Sequence, residues 1–259
     1  MSDHPSSMVE RVVLILGILE RSSEPLTLGQ ISARSGLPRS SAHRILQQLV
    51  SARWLSRDDN EYGLGLRMFE IGSVVVHRTR ILGAAGPMLR ELNAATGQVV
   101  HFAVLDQQDV VYLERIGGPF ADALPSRVGG RFPAHCTAVG KVLLANAPRL
   151  VVEEYLRAGL RARTGRSIAD PGALREALAR TLDAGVAAEC GEAVPGAACI
   201  AAPVFQAGTA VAAVSLCGPQ RQILGGGLKV QVQWAAAEIS RRLSTPVLSA
   251  RARPVAVSR

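Results

Sequence analysis

The segment Leu26–Leu49, LTLGQISARSGLPRSSAHRILQQL, constrains this chain more than any other. Thr27 and Gln30 have the T-x-x-Q form of a capping box, in which two side chains satisfy amides left unpaired at a helix start. Gly36 suits the left-handed residue that ends such a helix. Pro38 suits the first position of the next helix, where its missing amide costs nothing. In that helix Ala42, Ile45, Leu46 and Leu49 form an apolar stripe, and Arg39, Ser40, His43, Arg44 and Gln47 form a polar, basic front. Two short helices joined by a tight glycine turn are the elements of a helix-turn-helix, whose second helix enters the major groove of DNA.

The flanking sequence extends this reading. Met8–Arg21 carries Val9, Val12, Val13, Leu16 and Leu19 at helical spacing. Trp54–Arg57 and Tyr62–Leu64 read as strands joined by Asp58-Asp59-Asn60, a wing from which Arg53 and Arg57 can reach phosphates or the minor groove. From Pro25 to Arg57 the chain carries Arg34, Arg39, Arg44, Arg53 and Arg57 and no acid. The candidate DNA-contacting set is therefore Thr27, Arg39, Ser40, Ser41, His43, Arg44, Gln47, Arg53 and Arg57. The competing reading is an ordinary small bundle with a solvated face. The joint presence of caps, basic front and wing favours DNA.

Composition excludes several classes. The chain has 259 residues, 48% hydrophobic and 19% charged, with a formal charge of +8. That apolar share builds a core and rules out an intrinsically disordered chain. No apolar run approaches the roughly 20 residues of a membrane helix. Val12–Leu19 is too short, and the opening Met-Ser-Asp-His-Pro lacks the basic start of a signal peptide. A soluble, cytoplasmic protein with no membrane partner is expected. Cys136, Cys190, Cys199 and Cys217 are far apart and form neither a disulfide framework nor a C-x2-C zinc pair, so no metal or cofactor is expected.

Past the wing, Gly65–Arg80 reads as a linker helix whose apolar side, with Leu66, Phe69 and Val75, needs a partner. Gly83–Gly86 is expected to break it, before a helix at Pro87–Ala95. Strands at Val99–Leu105, Val110–Ile116, Cys199–Phe205 and Thr209–Cys217 alternate with a loop at Gly117–Pro133. Helices follow at Thr137–Ala145, Leu150–Leu156, Pro171–Ala184 and Val230–Leu243. Hairpins combined with helices indicate an α+β domain.

In the last strand Val211, Ala213, Ser215 and Cys217 share one face by alternation, with Cys199 on the partner strand. These small polar groups either line a ligand site or are small core residues; the pattern leaves both open. No G-x-S-x-G, phosphate loop or dinucleotide fingerprint occurs, so no catalytic residue is assigned.

The chain resembles the IclR family of bacterial transcription regulators. Beyond Leu26–Leu49, the likeness rests on AGPMLRELNAATG (Ala85–Gly97), VVYLERI (Val110–Ile116), GGRFPAHCTAVGKVLLA (Gly129–Ala145) and IAAPVFQAGTAVAAVSLCGP (Ile200–Pro219). The resemblance implies a winged helix-turn-helix at 8–68 that binds a palindromic operator on double-stranded DNA. It further implies a linker helix at 69–83, a GAF-like effector-binding domain at 84–246 and a basic flexible tail at 247–259. It implies a homodimer or dimer of dimers, and no enzymatic activity. Effector contacts carried over by motif position are Glu189, Cys199, Ser215 and Cys217, with the backbone of Thr137, Ala138 and Val139. Cys217 stands where a serine is expected. The resemblance implies a small organic acid or aromatic compound as effector; a thiol donates more weakly than a hydroxyl, which speaks against a glyoxylate- or pyruvate-like ligand and leaves room for a larger, less polar acid. The rival reading from another class is a thiol-based, redox-responsive DNA-binding regulator.

Overall fold

The computed structural model describes residues 7–78, 80–225 and 227–245, without the side chains of 76–78; the expected tail at 247–259 lies outside the described residues. The chain forms two compact units, Met1–Thr79 and Arg80–Arg259.

The first unit opens with α1 (Met8–Glu20), capped by a reciprocal Ser7–Glu10 box. Its buried residues are Ile15, Ile18 and Leu19, whereas Val9 and Val13 are exposed. The core-facing stripe is thus rotated from the one the valine spacing suggests. Next come β1 (Leu26–Thr27), α2 (Leu28–Ser35), α3 (Arg39–Ser51), β2 (Leu55–Asp58) and β3 (Glu61–Leu64). Three antiparallel strands in the order β1-β3-β2 make the wing sheet, with Leu26 opposite Tyr62 and Arg57 opposite Tyr62 on the other side. Two residues are too few to give β1 an alternation signal of its own. The core gathers Ile15, Ile31, Leu37, Ala42, Ile45, Leu46, Leu55 and Tyr62. Helix α4 (Leu66–Arg78) ends the unit.

The second unit begins with α5 (Arg80–Thr96), which runs through Gly83, Gly86 and Pro87 instead of breaking there. An internal proline costs a helix about 3 kcal/mol. Burial of Ala85, Met88, Leu89 and Leu92 outweighs it. Strands β4 (Val99–Asp106), β5 (Asp109–Ile116) and β6 (Arg131–Pro133) precede α6 (Ala138–Ala145), α7 (Arg149–Arg157) and α8 (Pro171–Ala184). Then follow β7 (Ala187–Cys190), β8 (Ala197–Gln206), β9 (Thr209–Pro219), α9 (Gln220–Leu224) and α10 (Leu228–Ser244). The six strands form one antiparallel sheet in the order β6-β5-β4-β9-β8-β7.

Helices cover both faces of that sheet. Val100, Phe102, Val214 and Leu216 face α5 and α10, and Ala103, Tyr112, Ala201 and Ala213 face α6, α7 and α8. The alternation read from β9 holds except at Val211, where a bulge between Val204 and Phe205 sends that side chain to the α10 side. Pro203 is tolerated because β7 pairs β8 only from Ala198 to Ala201, leaving no ladder partner for its missing amide. The architecture is a winged helix-turn-helix followed by a GAF-like α/β domain. Among the described residues no helix is long and apolar enough to cross a membrane.

Candidate functional site

Local chemistry builds the first site. Thr27 caps α2: its hydroxyl accepts from the Gln30 amide at 3.3 Å, and its own amide donates to Gln30 Oε1 at 2.8 Å. Gly36 ends α2 with φ of 68°. The turn is tied by Ser32 Oγ donating to the Leu37 carbonyl at 2.7 Å, and by Leu37 N–H donating to Ser35 Oγ at 3.3 Å. Pro38 is the cap of α3, one residue earlier than expected, because its φ/ψ of −54° and 136° is extended.

On α3 the buried residues are Ala42, Ile45 and Leu46. Arg39, Ser40, Arg44 and Gln47 are exposed on the other side, with Ser41 and His43 half-buried between them. His43 Nδ1 is buried without a hydrogen-bond partner among the described residues. In the wing, Arg57 lies over the Tyr62 ring at 5.6 Å and donates from Nε to the Asp59 carbonyl at 2.8 Å. Arg53 is already engaged, its guanidinium 3.1 Å from Glu70 on α4. That pair was not legible in the sequence, because the two residues belong to different elements.

The second site lies on the α6 side of the large sheet. Antiparallel register places Glu189 opposite Cys199, Cys199 opposite Cys217, and Cys217 opposite Val99, one row across four strands. A neighbouring row holds Ala187, Ala201, Ser215 and His101. These rows floor a cavity with about 420 Å³ of empty space, part of it open to solvent. All of Thr137, Ala138, Val139, Glu189, Cys199, Ser215 and Cys217 line it.

Among the lining residues that escaped the sequence reading are His101, Tyr112, Ser126 and Phe132. His101 Nε2 lies 2.8 Å from Ser126 Oγ, and its ring stands 4.8 Å from that of Tyr112. Burial, with the Arg115 charge, holds His101 down at about 3, so the ring is neutral. Alternation along β4 could have flagged His101. Nothing local could have flagged Ser126, which sits in an irregular loop.

Helix α6 presents its start to this cavity. Thr137 caps it by accepting from the Gly140 amide at 3.0 Å. Gly140 is required because a Cβ there would collide with the Ala134 carbonyl and Cα. The same helix buries Lys141, which pairs with Glu192 at 2.5 Å. Glu192 N–H in turn donates to Glu189 Oε2 at 2.9 Å. Burial pushes the Glu189 carboxyl above its usual range.

All four thiols are free. Burial pushes Cys136 up, and the neighbouring Cys217 thiol together with burial pushes Cys199 well up. A peroxide-sensing thiol needs the opposite shift, so the redox reading finds no support.

Two family models match the chain: the IclR helix-turn-helix domain over residues 8–59 and the bacterial transcriptional regulator IclR C-terminal domain over 73–244. The HTH-type transcriptional regulator XynR of Escherichia coli is 33% identical over 245 residues, 92% of this chain and 97% of its own. The HTH-type transcriptional regulator KdgR of Dickeya chrysanthemi is 30% identical, over 84% of this chain and 73% of its own. An IclR homologue from Microbacterium hydrocarbonoxydans, solved in complex with 4-hydroxybenzoate, is 31% identical with a TM-score of 0.82, covering 92% of this chain and 99% of its own. The Thermotoga maritima IclR structure follows at 26% identity and a TM-score of 0.74, over 92% and 98%. With both of its domains matched and the winged helix-turn-helix and GAF-like folds in place, the chain belongs to the IclR family of DNA-binding bacterial transcriptional regulators, which are not enzymes.

Proposed function

We propose that this regulator binds a palindromic operator as a dimer and changes its DNA affinity when a small organic acid or aromatic compound occupies the α6 cavity. The observation that carries the reading is the convergence on one cavity of all seven residues that the resemblance implies. The Microbacterium homologue's complex with 4-hydroxybenzoate supports a small aromatic acid.

For DNA, the exposed Arg39, Ser40, Arg44 and Gln47 read base edges, with Ser41 and His43 at the margin of that surface. Arg57 and the α2 start at Thr27 meet phosphates, and Arg53 does so on leaving Glu70. One recognition helix spans too few base pairs for genomic specificity, so two copies are needed. Val9 and Val13 on α1, and Leu66, Phe69 and Val75 on α4, are exposed apolar side chains that a second copy can cover. A cytoplasmic location follows from the DNA target.

A ligand shifts DNA binding only through differential affinity for two arrangements of the protein. A coupling of about 1–3 kcal/mol changes operator affinity roughly 5–150-fold. The test is binding of the purified protein to its own promoter and to scrambled DNA, with a thermal-shift screen of carboxylic acids. Equal affinity for both DNAs, with and without acids, overturns the proposal. Ser215→Ala is expected to abolish the acid-induced shift; an unchanged shift removes the cavity from it.

A further inference from the structure

We infer that the cavity accepts a ligand with a single anionic group, and that Glu189 is the residue that excludes a second one. This deepens the ligand role proposed for the cavity and rests on it.

The cavity offers places for one negative charge. The Ala138 and Val139 amides, first in α6, have no helical carbonyl to donate to, and a helix start carries partial positive charge. Independently, the Ser215 hydroxyl lines the cavity at 2% exposure and has no partner among the described residues. A hydroxyl that borders a cavity and bonds no protein group is free to bond a ligand oxygen there.

Nothing comparable holds a second anion. Among the described residues lining the cavity none is a lysine or arginine, and His101 is neutral. Instead the cavity contains a carboxyl, Glu189, at 3% exposure. The groups around it are the Glu192 amide and carboxylate, the Lys141 ammonium, the Cys199 thiol and the Tyr112 hydroxyl. Lys141 is not part of the lining and is paired with Glu192, whose other oxygen is buried without a partner among the described residues. Arg163 lies on the face of Phe132 at 4.3 Å and donates from Nε to the Ala193 carbonyl at 3.4 Å. A second carboxylate therefore meets the Glu189 carboxyl with no lysine or arginine of the lining between them, so either one of the two takes up a proton or two charges share the site. Like charges at close range in a water-poor site are strongly unfavourable. A neutral donor on the ligand finds in Glu189 an acceptor instead, and Tyr112, Phe132, Leu124 and Val194 supply apolar walls.

Matched pairs differing in one charge test this. Binding of 4-carbamoylbenzoate against terephthalate, and of succinamate against succinate, is measured by calorimetry on the full chain at neutral pH. At least one monoanion is expected to bind at least about tenfold tighter than its dianion. In Glu189→Gln, which keeps the side-chain shape and an acceptor for the Glu192 amide, the ratio is expected to fall to about threefold or less. Dianions binding as well as monoanions to the wild type overturn the exclusion and leave the ligand cavity standing. A ratio unchanged in Glu189→Gln overturns the role of Glu189. Binding of none of the four compounds overturns this inference and the ligand role of the cavity together.

Discussion

Cys199 and Cys217 stand directly opposite each other on β8 and β9, in the same cross-strand row as Glu189. Cys217 occupies the position where a hydroxyl would give a stronger donor. Cys217→Ser is expected to raise affinity for small oxoacids such as pyruvate by about 2–10-fold, the worth of one ordinary hydrogen bond. Calorimetric titration checks this; unchanged or weaker pyruvate binding would show that the ligand does not reach Cys217.

The close approach of Gly140 to Ala134 seats the start of α6 at the cavity. Gly140→Ala must push α6 off that carbonyl and is expected to cost about 1–3 kcal/mol of stability. Urea denaturation measures it. Full stability together with a full acid response would mean the helix start needs no such seat.

Lys141 and Glu192 form a buried pair. Removing one partner strands a buried charge, so Lys141→Met alone is expected to cost about 3–5 kcal/mol, and Lys141→Met combined with Glu192→Gln distinctly less. A double-mutant cycle by chemical denaturation decides; additive losses would mean that the pair is not coupled.

On the DNA side, Arg44→Ala is expected to lose about 1–3 kcal/mol of operator binding and to relax discrimination at one base position. Fluorescence anisotropy on operator variants reads both effects. An equal loss on random DNA would reassign Arg44 to a phosphate.

Some of this was written in short stretches of the chain. The Thr27–Gln30 box, the Gly36 stop and the apolar stripe of α3 each depend on residues within a turn or two. Their physics is local, so the helix-turn-helix was legible before any tertiary contact was known. Alternation along β9 likewise separated Ser215 and Cys217 from Val214 and Leu216.

Other features were decided only by packing. The helical state of Gly83–Pro87 contradicts local preference and is carried by contacts with α10 and the sheet. Val9 and Val13 carry the periodicity of a buried face yet stay exposed, because periodicity marks an apolar surface without naming what covers it. Register is the deepest example. Glu189, Cys199 and Cys217 come from three strands, and His101 and Ser126 join them from a fourth strand and a loop. A slip of one residue would turn each strand's side chains to the opposite face. The sequence by itself therefore determined the DNA-binding motif and the kinds of side chain available to a ligand. The tertiary structure alone decided which of them meet, because cross-strand pairing and loop packing are long-range and leave no short-range pattern to read.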